Sequence, residues 1–374
     1  MYVTPGLGGS GGAERSLAAL APHWKGQVDL HIVTLSERSG LEPALRESGA
    51  EVTQLAERSL LGRIRRLHKL IRETEPDLVH SVLFDADLVA RIAARLGGVP
   101  CSTSLVNVNY GREHLQAPGR KAWKVRGAQA LDAVTARSVV RFHALTHEVA
   151  SVMGKRLWLD PGRVEVIPRG RDRSDVGSFS ASRRNRVRNV LGVGDRPLVV
   201  AAARHEWQKG LDLLLRAWPG ISAAHPDAVL LIGGREGQTT EHLHTLATQV
   251  GLDPATVFLG SRNDIPDLMC AADAFCVPSR WEGLGSILIE AMALGAPVVA
   301  SDLPPFRELD PRGGWITYFE RDNTKDLARQ IAVTLARTNG QQRRATASDS
   351  FESTYRADLI AARMVEFFEA ALEV

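Results

Sequence analysis

Cysteine is nearly absent: the chain holds three in 374 residues, Cys101, Cys270 and Cys276. None of their spacings is CxxC or a paired metal-ligand pattern, which excludes a disulfide scaffold and a zinc-finger site and predicts free thiols in a reducing compartment. Long apolar runs are missing too. No segment approaches the ~18–20 uninterrupted apolar residues that span a bilayer, and the N-terminus lacks a basic region followed by an apolar one. The expectation is a cytoplasmic protein, at most peripheral on the inner face of a membrane. Charge of one sign is also wanting. A net charge of +3 is too small to imply a nucleic-acid partner.

Length and ordinary composition are what remain. At 374 residues the chain exceeds the roughly 250–300 at which single cores split, so two domains with a cleft between them are expected. The 44% hydrophobic and 24% charged fractions exclude disorder and predict conventional cores. Charge is uneven along the chain. Arg58, Arg63, Arg65, Arg66, Lys69 and Arg72 crowd one stretch, with Leu60, Leu61, Ile64, Leu67, Leu70 and Ile71 among them, as suits a helix on anionic lipid or a solvated helix on a sheet. Arg112, Arg120, Lys121, Lys124 and Arg126 crowd another.

Apolar runs alternate with helical patterns throughout. Met1–Thr4, Val28–Leu35, Leu78–Ser81, Ser102–Val106 and Val164–Pro168 read as strands of one parallel sheet, with a helix from Ala13 to Trp24. Arg169–Ser182 is polar and glycine-containing, the best linker. Leu198–Ala203, Val229–Ile232, Ala274–Val277 and Pro297–Ala300 form a second parallel set, and Ala357–Leu372 a final helix with a packing stripe. Ligands of such sheets bind beyond the carboxyl ends of strands.

Three loops there carry chemistry. In Pro278–Gly295 a strand ends, Gly283 and Gly285 turn the chain, and a helix follows with Ser286 as the expected N-cap and Gly295 as the stop. That helix is apolar nearly all round, so it should be buried, and Glu290 within it needs hydrogen-bond partners such as a vicinal diol. Glu282 and Glu290 are too far apart along the chain for a glycosidase pair, at about 12 Å if helical. The amides of Gly283, Leu284, Gly285 and Ser286 open toward a helix N-terminus that favours anions. Arg204 and Lys209 follow the strand Leu198–Ala203, two cations suited to a diphosphate without metal. The N-terminal run Gly6–Arg15 offers close backbone approach at a helix start. It also matches GxGxxG at Gly6, Gly8 and Gly11, with Glu37 roughly where a dinucleotide site places its acid, so that reading stays open here.

Together these residues resemble the retaining family 4 glycosyltransferases of the GT-B fold, over essentially the whole chain. Glu282 and Glu290, with seven residues between them, look like the family's EX7E motif, which implies sugar contact for the first and ribose capture for the second. Arg204 and Lys209 match its phosphate pair, and Gly8, Gly9, Gly11, Gly12 and Glu14 its glycine loop. Gly234, with Arg262 and Asn263 after Phe258–Gly260, matches segments lining the nucleotide. Ile167-Pro-Arg-Gly170 stands where the family has IPNG, making Arg169 a departure in the acceptor or sugar region. His80 matches a further position there, and Asn107 replaces a histidine near the reacting sugar. Asparagine is no base at neutral pH, and a front-face transfer would let the leaving phosphate help deprotonate the acceptor.

The resemblance implies two Rossmann-like domains with parallel sheets facing across a deep cleft: residues 1–169 bind acceptor, 170–352 bind donor, and the helix in 353–374 crosses back to the first. It implies metal-independent, retaining transfer of a hexose-type sugar from a nucleotide diphosphate sugar, UDP favoured and GDP possible, to a hydroxyl of a glycan, lipid-linked sugar or small molecule. No cofactor and no nucleic acid are expected. A nucleotide-sugar epimerase or a non-catalytic sugar-nucleotide binder is the alternative.

Overall fold

The structure is a computed structural model that describes residues 1–9, 11–36, 40–111, 115, 121–337 and 340–373. Glu37, Arg112 and Arg120 lie outside the described residues. Two compact units divide the chain, Met1–Asp172 with Tyr355–Val374, and Arg173–Thr354.

Seven parallel strands make the first sheet: β1 (Tyr2–Thr4), β2 (His31–Thr34), β3 (Glu51–Gln54), β4 (Val79–Val82), β5 (Cys101–Leu105), β6 (Arg141–Ala144) and β7 (Val164–Val166). Their order is β3-β2-β1-β4-β5-β6-β7, so the order reverses between β1 and β4, where doubly wound sheets open a crevice. Val3, Ile32, Val79 and Phe142 are at most 1% exposed, as expected for strands covered on both faces. The last helix, Ala357–Leu372, belongs to this unit. Its Ile360, Ala361, Met364 and Phe367 join the core of Leu17, Leu20 and Trp24 on the helix Gly12–Trp24, and Trp24 Nε1 donates to the Ala361 carbonyl at 3.1 Å.

The second unit carries β8 (Leu198–Ala202), β9 (Val229–Gly233), β10 (Ala274–Val277), β11 (Val298–Ser301) and β12 (Ile316–Phe319), all parallel, in the order β12-β11-β10-β8-β9. Here the reversal lies between β8 and β10. The strands β3, β6 and β12 were not read from the sequence: β3 is an edge strand with Glu51 and Gln54 exposed, and β6 begins with Arg141 and contains His143.

The helix Ser286–Leu294 is buried from Leu288 to Leu294, as its composition requires. Its N-cap is Gly285 rather than Ser286. That position has φ +79°, and a Cβ there would stand 2.4 Å from the Phe306 ring, so only glycine closes the loop and the serine moves into the first turn. The basic stretch forms a helix, Leu60–Thr74, capped by Ser59, whose Oγ accepts from Gly62 N at 3.1 Å. Ile64, Leu67, Leu70 and Ile71 are spent on the core; only Leu60 and Leu61 of the interleaved apolar residues are exposed.

Candidate active site

Both loops that the sequence singles out in the second half leave strands flanking the order reversal. After β8 comes a short 3-10 turn, Trp207–Lys209, closed by Gly210 at φ +62°. A Cβ on Gly210 would lie 2.0 Å from the Pro278 carbonyl oxygen: the β8 loop touches the β10 loop backbone to backbone, and no side chain fits between them. Lys209 Nζ donates to Glu282 Oε1 at 2.6 Å, and Ser279 Oγ donates to the same oxygen at 2.9 Å. Glu282 is only 9% exposed, so its carboxylate is held by a cation and a hydroxyl rather than left to solvent. Sequence assigned lysine and glutamate to separate jobs; the structure joins them. Half-buried Arg204 makes no side-chain hydrogen bond with a described residue, leaving its fork of donors available at the strand end.

Arg280 holds these loops together, and the sequence reading did not single it out. Its guanidinium makes a two-pronged pair with Asp212, 2.8 Å on each branch, donates to the Trp207 carbonyl at 2.8 Å, and lies 3.5 Å from the centre of the Trp207 ring. Asp322 approaches at 3.2 Å. The Arg280 backbone N–H donates to the Gln208 carbonyl at 2.8 Å, and Gln208 Nε2 returns to the Trp281 carbonyl at 2.8 Å. Arg280 is 7% exposed. A buried charge is tolerated only with this degree of pairing.

Glu290 is 5% exposed on the helix behind the loop. Gly234 turns after β9, with its N–H donating to the Gly260 carbonyl at 2.8 Å. Arg262 is drawn onto Asp264, Nε to Oδ1 at 2.6 Å, while Asn263 is exposed. His205 is 2% exposed and stacks edge-on against Phe258, with ring centres 5.2 Å apart. Burial, with the His244 charge adding to it, lowers its pKa. Its backbone holds the loop after β9, accepting from Thr239 N at 3.0 Å and donating to the Arg235 carbonyl at 3.1 Å.

In the first unit Glu14 Oε2 accepts from Gly11 N at 3.2 Å, and Arg15 Nε donates to the Gly9 carbonyl at 2.9 Å. Both side chains brace the glycine loop at the start of the helix Gly12–Trp24, beside Gly8 and Gly12. Half-buried Asn107 follows β5; its Oδ1 accepts from Val108 N at 2.9 Å, which leaves the amide hydrogens to point elsewhere. Tyr110, two residues past Val108, adopts φ +65° and donates from its hydroxyl to Asp132 at 2.8 Å.

The histidine His80 is buried within the first sheet, with both ring nitrogens bonded to its neighbours. It is 3% exposed in β4, with Nδ1 against Ser102 Oγ and Nε2 against Ser104 Oγ, both at 2.8 Å. Ser104 Oγ continues to His143 Nδ1 at 2.8 Å, and His143 Nε2 to the Ile167 carbonyl at 2.6 Å. A carbonyl only accepts, so the chain has one direction: His143 carries its proton on Nε2, Ser104 donates to Nδ1, His80 donates to Ser104 from Nε2, and Ser102 donates to His80. Every lone pair of both rings is used. Burial lowers His143 to about 4 and His80 well below the imidazole range. Arg169 lines a cavity of about 30 Å³ with His143, Ser104 and Tyr2, room for roughly one water.

Residues 183–349 match the family described as Glycosyl transferases group 1, and residues 10–175 the one described as Glycosyltransferase Family 4. Both halves of this chain thus match glycosyltransferase families. Among curated glycosyltransferases the chain is 29% identical over 240 residues to the UDP-Gal:alpha-D-GlcNAc-diphosphoundecaprenol alpha-1,3-galactosyltransferase of Escherichia coli, covering 63% of this chain and 60% of that one. It is 35% identical over 164 residues to a GDP-mannose-dependent alpha-(1-6)-phosphatidylinositol monomannoside mannosyltransferase of Mycolicibacterium smegmatis, covering 41% and 42%. The chain thus spans three-fifths or less of the length of these relatives. In fold it matches Anabaena HepE crystallised with UDP, with a TM-score of 0.83 at 22% identity over 99% of both chains. It also matches WaaG, a glycosyltransferase involved in lipopolysaccharide biosynthesis, with a TM-score of 0.76 at 17% identity over 98% and 99%. The architecture is therefore GT-B.

Proposed function

We propose that this glycosyltransferase moves a hexose-type sugar, with retention and without metal, from a nucleotide diphosphate sugar to a hydroxyl acceptor. The carrying observation is the meeting of the β8 and β10 loops at the strand-order reversal, with the Lys209–Glu282 pair joining them and Arg204, unpaired among the described residues, at the end of β8. Arg204 supplies a fork for the departing diphosphate, and Lys209 a second cation that also holds Glu282. Glu282 faces the transferred sugar and Glu290 takes the ribose diol, while Gly234, Arg262 and Asn263 border the base. Acceptor binding falls to the first unit, with the glycine loop, Asn107 and Arg169. Asn107 donates a hydrogen bond rather than taking a proton, and the leaving phosphate helps deprotonate the acceptor. The named activities of the two curated relatives, one on UDP-galactose and one on GDP-mannose, and the UDP complexes of HepE support a nucleotide-sugar donor, UDP first. Their lipid-linked substrates support an acceptor of that kind at a membrane surface.

Calorimetry with uridine, guanosine, adenosine and thymidine diphosphate sugars tests the donor. A folded Glu290→Ala protein is expected to lose donor binding; near-normal affinity in that variant would overturn the assignment of the ribose contact.

A further inference from the structure

The helix Ala122–Ala136 has two faces that both carry apolar residues. Val125, Ala133 and Ala136 point into the core. Trp123, Leu131 and Val134, on the opposite side at helix-compatible spacing, are 69%, 42% and 60% exposed. Gln129 Nε2 donates to the Arg156 carbonyl at 3.0 Å, which ties this helix to the end of His147–Leu157, where Trp158 is 77% exposed. Two tryptophans left this open in one small region have no packing reason to be there.

Charge decides what the surface fits. Lys121, Lys124, Arg126 and Lys155 are all exposed, and none forms an ion pair with a described residue. Lys124 Nζ sits 5.6 Å from the Trp123 ring. The only acid between Lys121 and Arg137 is Asp132, 5% exposed and consumed by Arg91 and the Tyr110 hydroxyl. Asp160 is the nearest acid beyond Trp158 and turns onto Gly162 N at 3.0 Å. Indole rings beside unpaired cations, with exposed apolar side chains between, are the chemistry of a bilayer interface with anionic headgroups. By contrast the basic helix Leu60–Thr74 has spent its apolar stripe inward.

We infer that the first unit docks on an anionic bilayer through Trp123, Leu131, Val134 and Trp158, with Lys121, Lys124, Arg126 and Lys155 against the headgroups, and that the helix Leu60–Thr74 is not the docking element. The inference rests on the proposed function only for its purpose, delivery of a lipid-linked acceptor. Binding itself is read without any donor or acceptor.

Flotation of the full chain with phosphatidylcholine vesicles, with and without phosphatidylglycerol, is the test. Retention on the mixed vesicles at low salt, absent on phosphatidylcholine alone, is expected. At roughly fivefold per cation, K121E/K124E/R126E should weaken it about a hundredfold or more. W123S/W158S should abolish the retention that survives at high salt, and R65E/K69E/R72E should leave binding within a fewfold of the parent. Circular dichroism and the thermal transition report folding of each variant, and UDP calorimetry reports the donor site, so failure of the donor reading leaves this result legible. No retention at low salt, retention that survives both sets at the Trp123 face, or retention lost through R65E/K69E/R72E overturns the inference. So does a dimer that W123S/W158S dissolves, since the face then closes on a second copy.

Discussion

Arg280 shows how much of a loop can hang on one side chain. Its partner Asp212 is 68 positions away, so no spacing in the sequence links them, whereas Arg204, Lys209 and Glu282 stand in two short loops at strand ends, with Glu290 on the helix that follows the second, and were legible there. Removing one member of a buried, two-pronged pair leaves a charge without compensation. Arg280→Met is expected to cost roughly 3–5 kcal/mol in urea unfolding of the second unit; adding Asp212→Asn should restore a large part, and two additive losses would contradict the pairing. Arg204→Ala belongs to the same scale with a different readout. If Arg204 acts on the departing phosphate, kcat falls more than donor affinity. Equal losses in both would mark it as a ground-state contact.

The sheet elements of the first unit carry a polar thread across β4, β5 and β6, from Ser102 through His80, Ser104 and His143 to the Ile167 carbonyl. The sequence marked His80 as a site residue because a histidine after a strand is what such sites display. That both ring nitrogens meet serines on the neighbouring strand depends on register, His80 opposite Ser102, which composition does not encode. Short strands hid for a related reason: β3 and β6 carry polar residues at positions where a run of valine or leucine would have announced them. His143 yields a pH prediction. Its folded pKa, near 4, lies below the ordinary 6.5, so the unfolded chain takes up a proton that the folded one refuses. Stability contributed at this site is intact above pH 6.5 and is lost as pH falls toward 4, by about 3 kcal/mol. The difference in unfolding free energy between the parent and His143→Gln should shrink by that amount over the interval, and a pH-independent difference would refute the neutral, directed chain.

For the whole molecule, the division into Met1–Asp172 with Tyr355–Val374 and an inserted Arg173–Thr354 makes the two units unequal in one respect. Residues 173–354 are contiguous and should unfold cooperatively and bind UDP when produced alone. Residues 1–172 should not fold alone, because Ile360, Met364 and Phe367 fill their core. At about 1.5–3 kcal/mol for each large side chain, that loss approaches the roughly 5–15 kcal/mol that keeps a typical domain folded. Supplying residues 355–374 as a separate peptide should rescue it, and a stable 1–172 fragment would contradict the shared core. On a ribosome the same arrangement sets an order of events. Residues 1–172 wait for residues 355–374, which are made later, so the inserted unit can complete itself while its elder neighbour is still open, with the Trp24 pocket vacant and in need of protection until Phe367 has been synthesised.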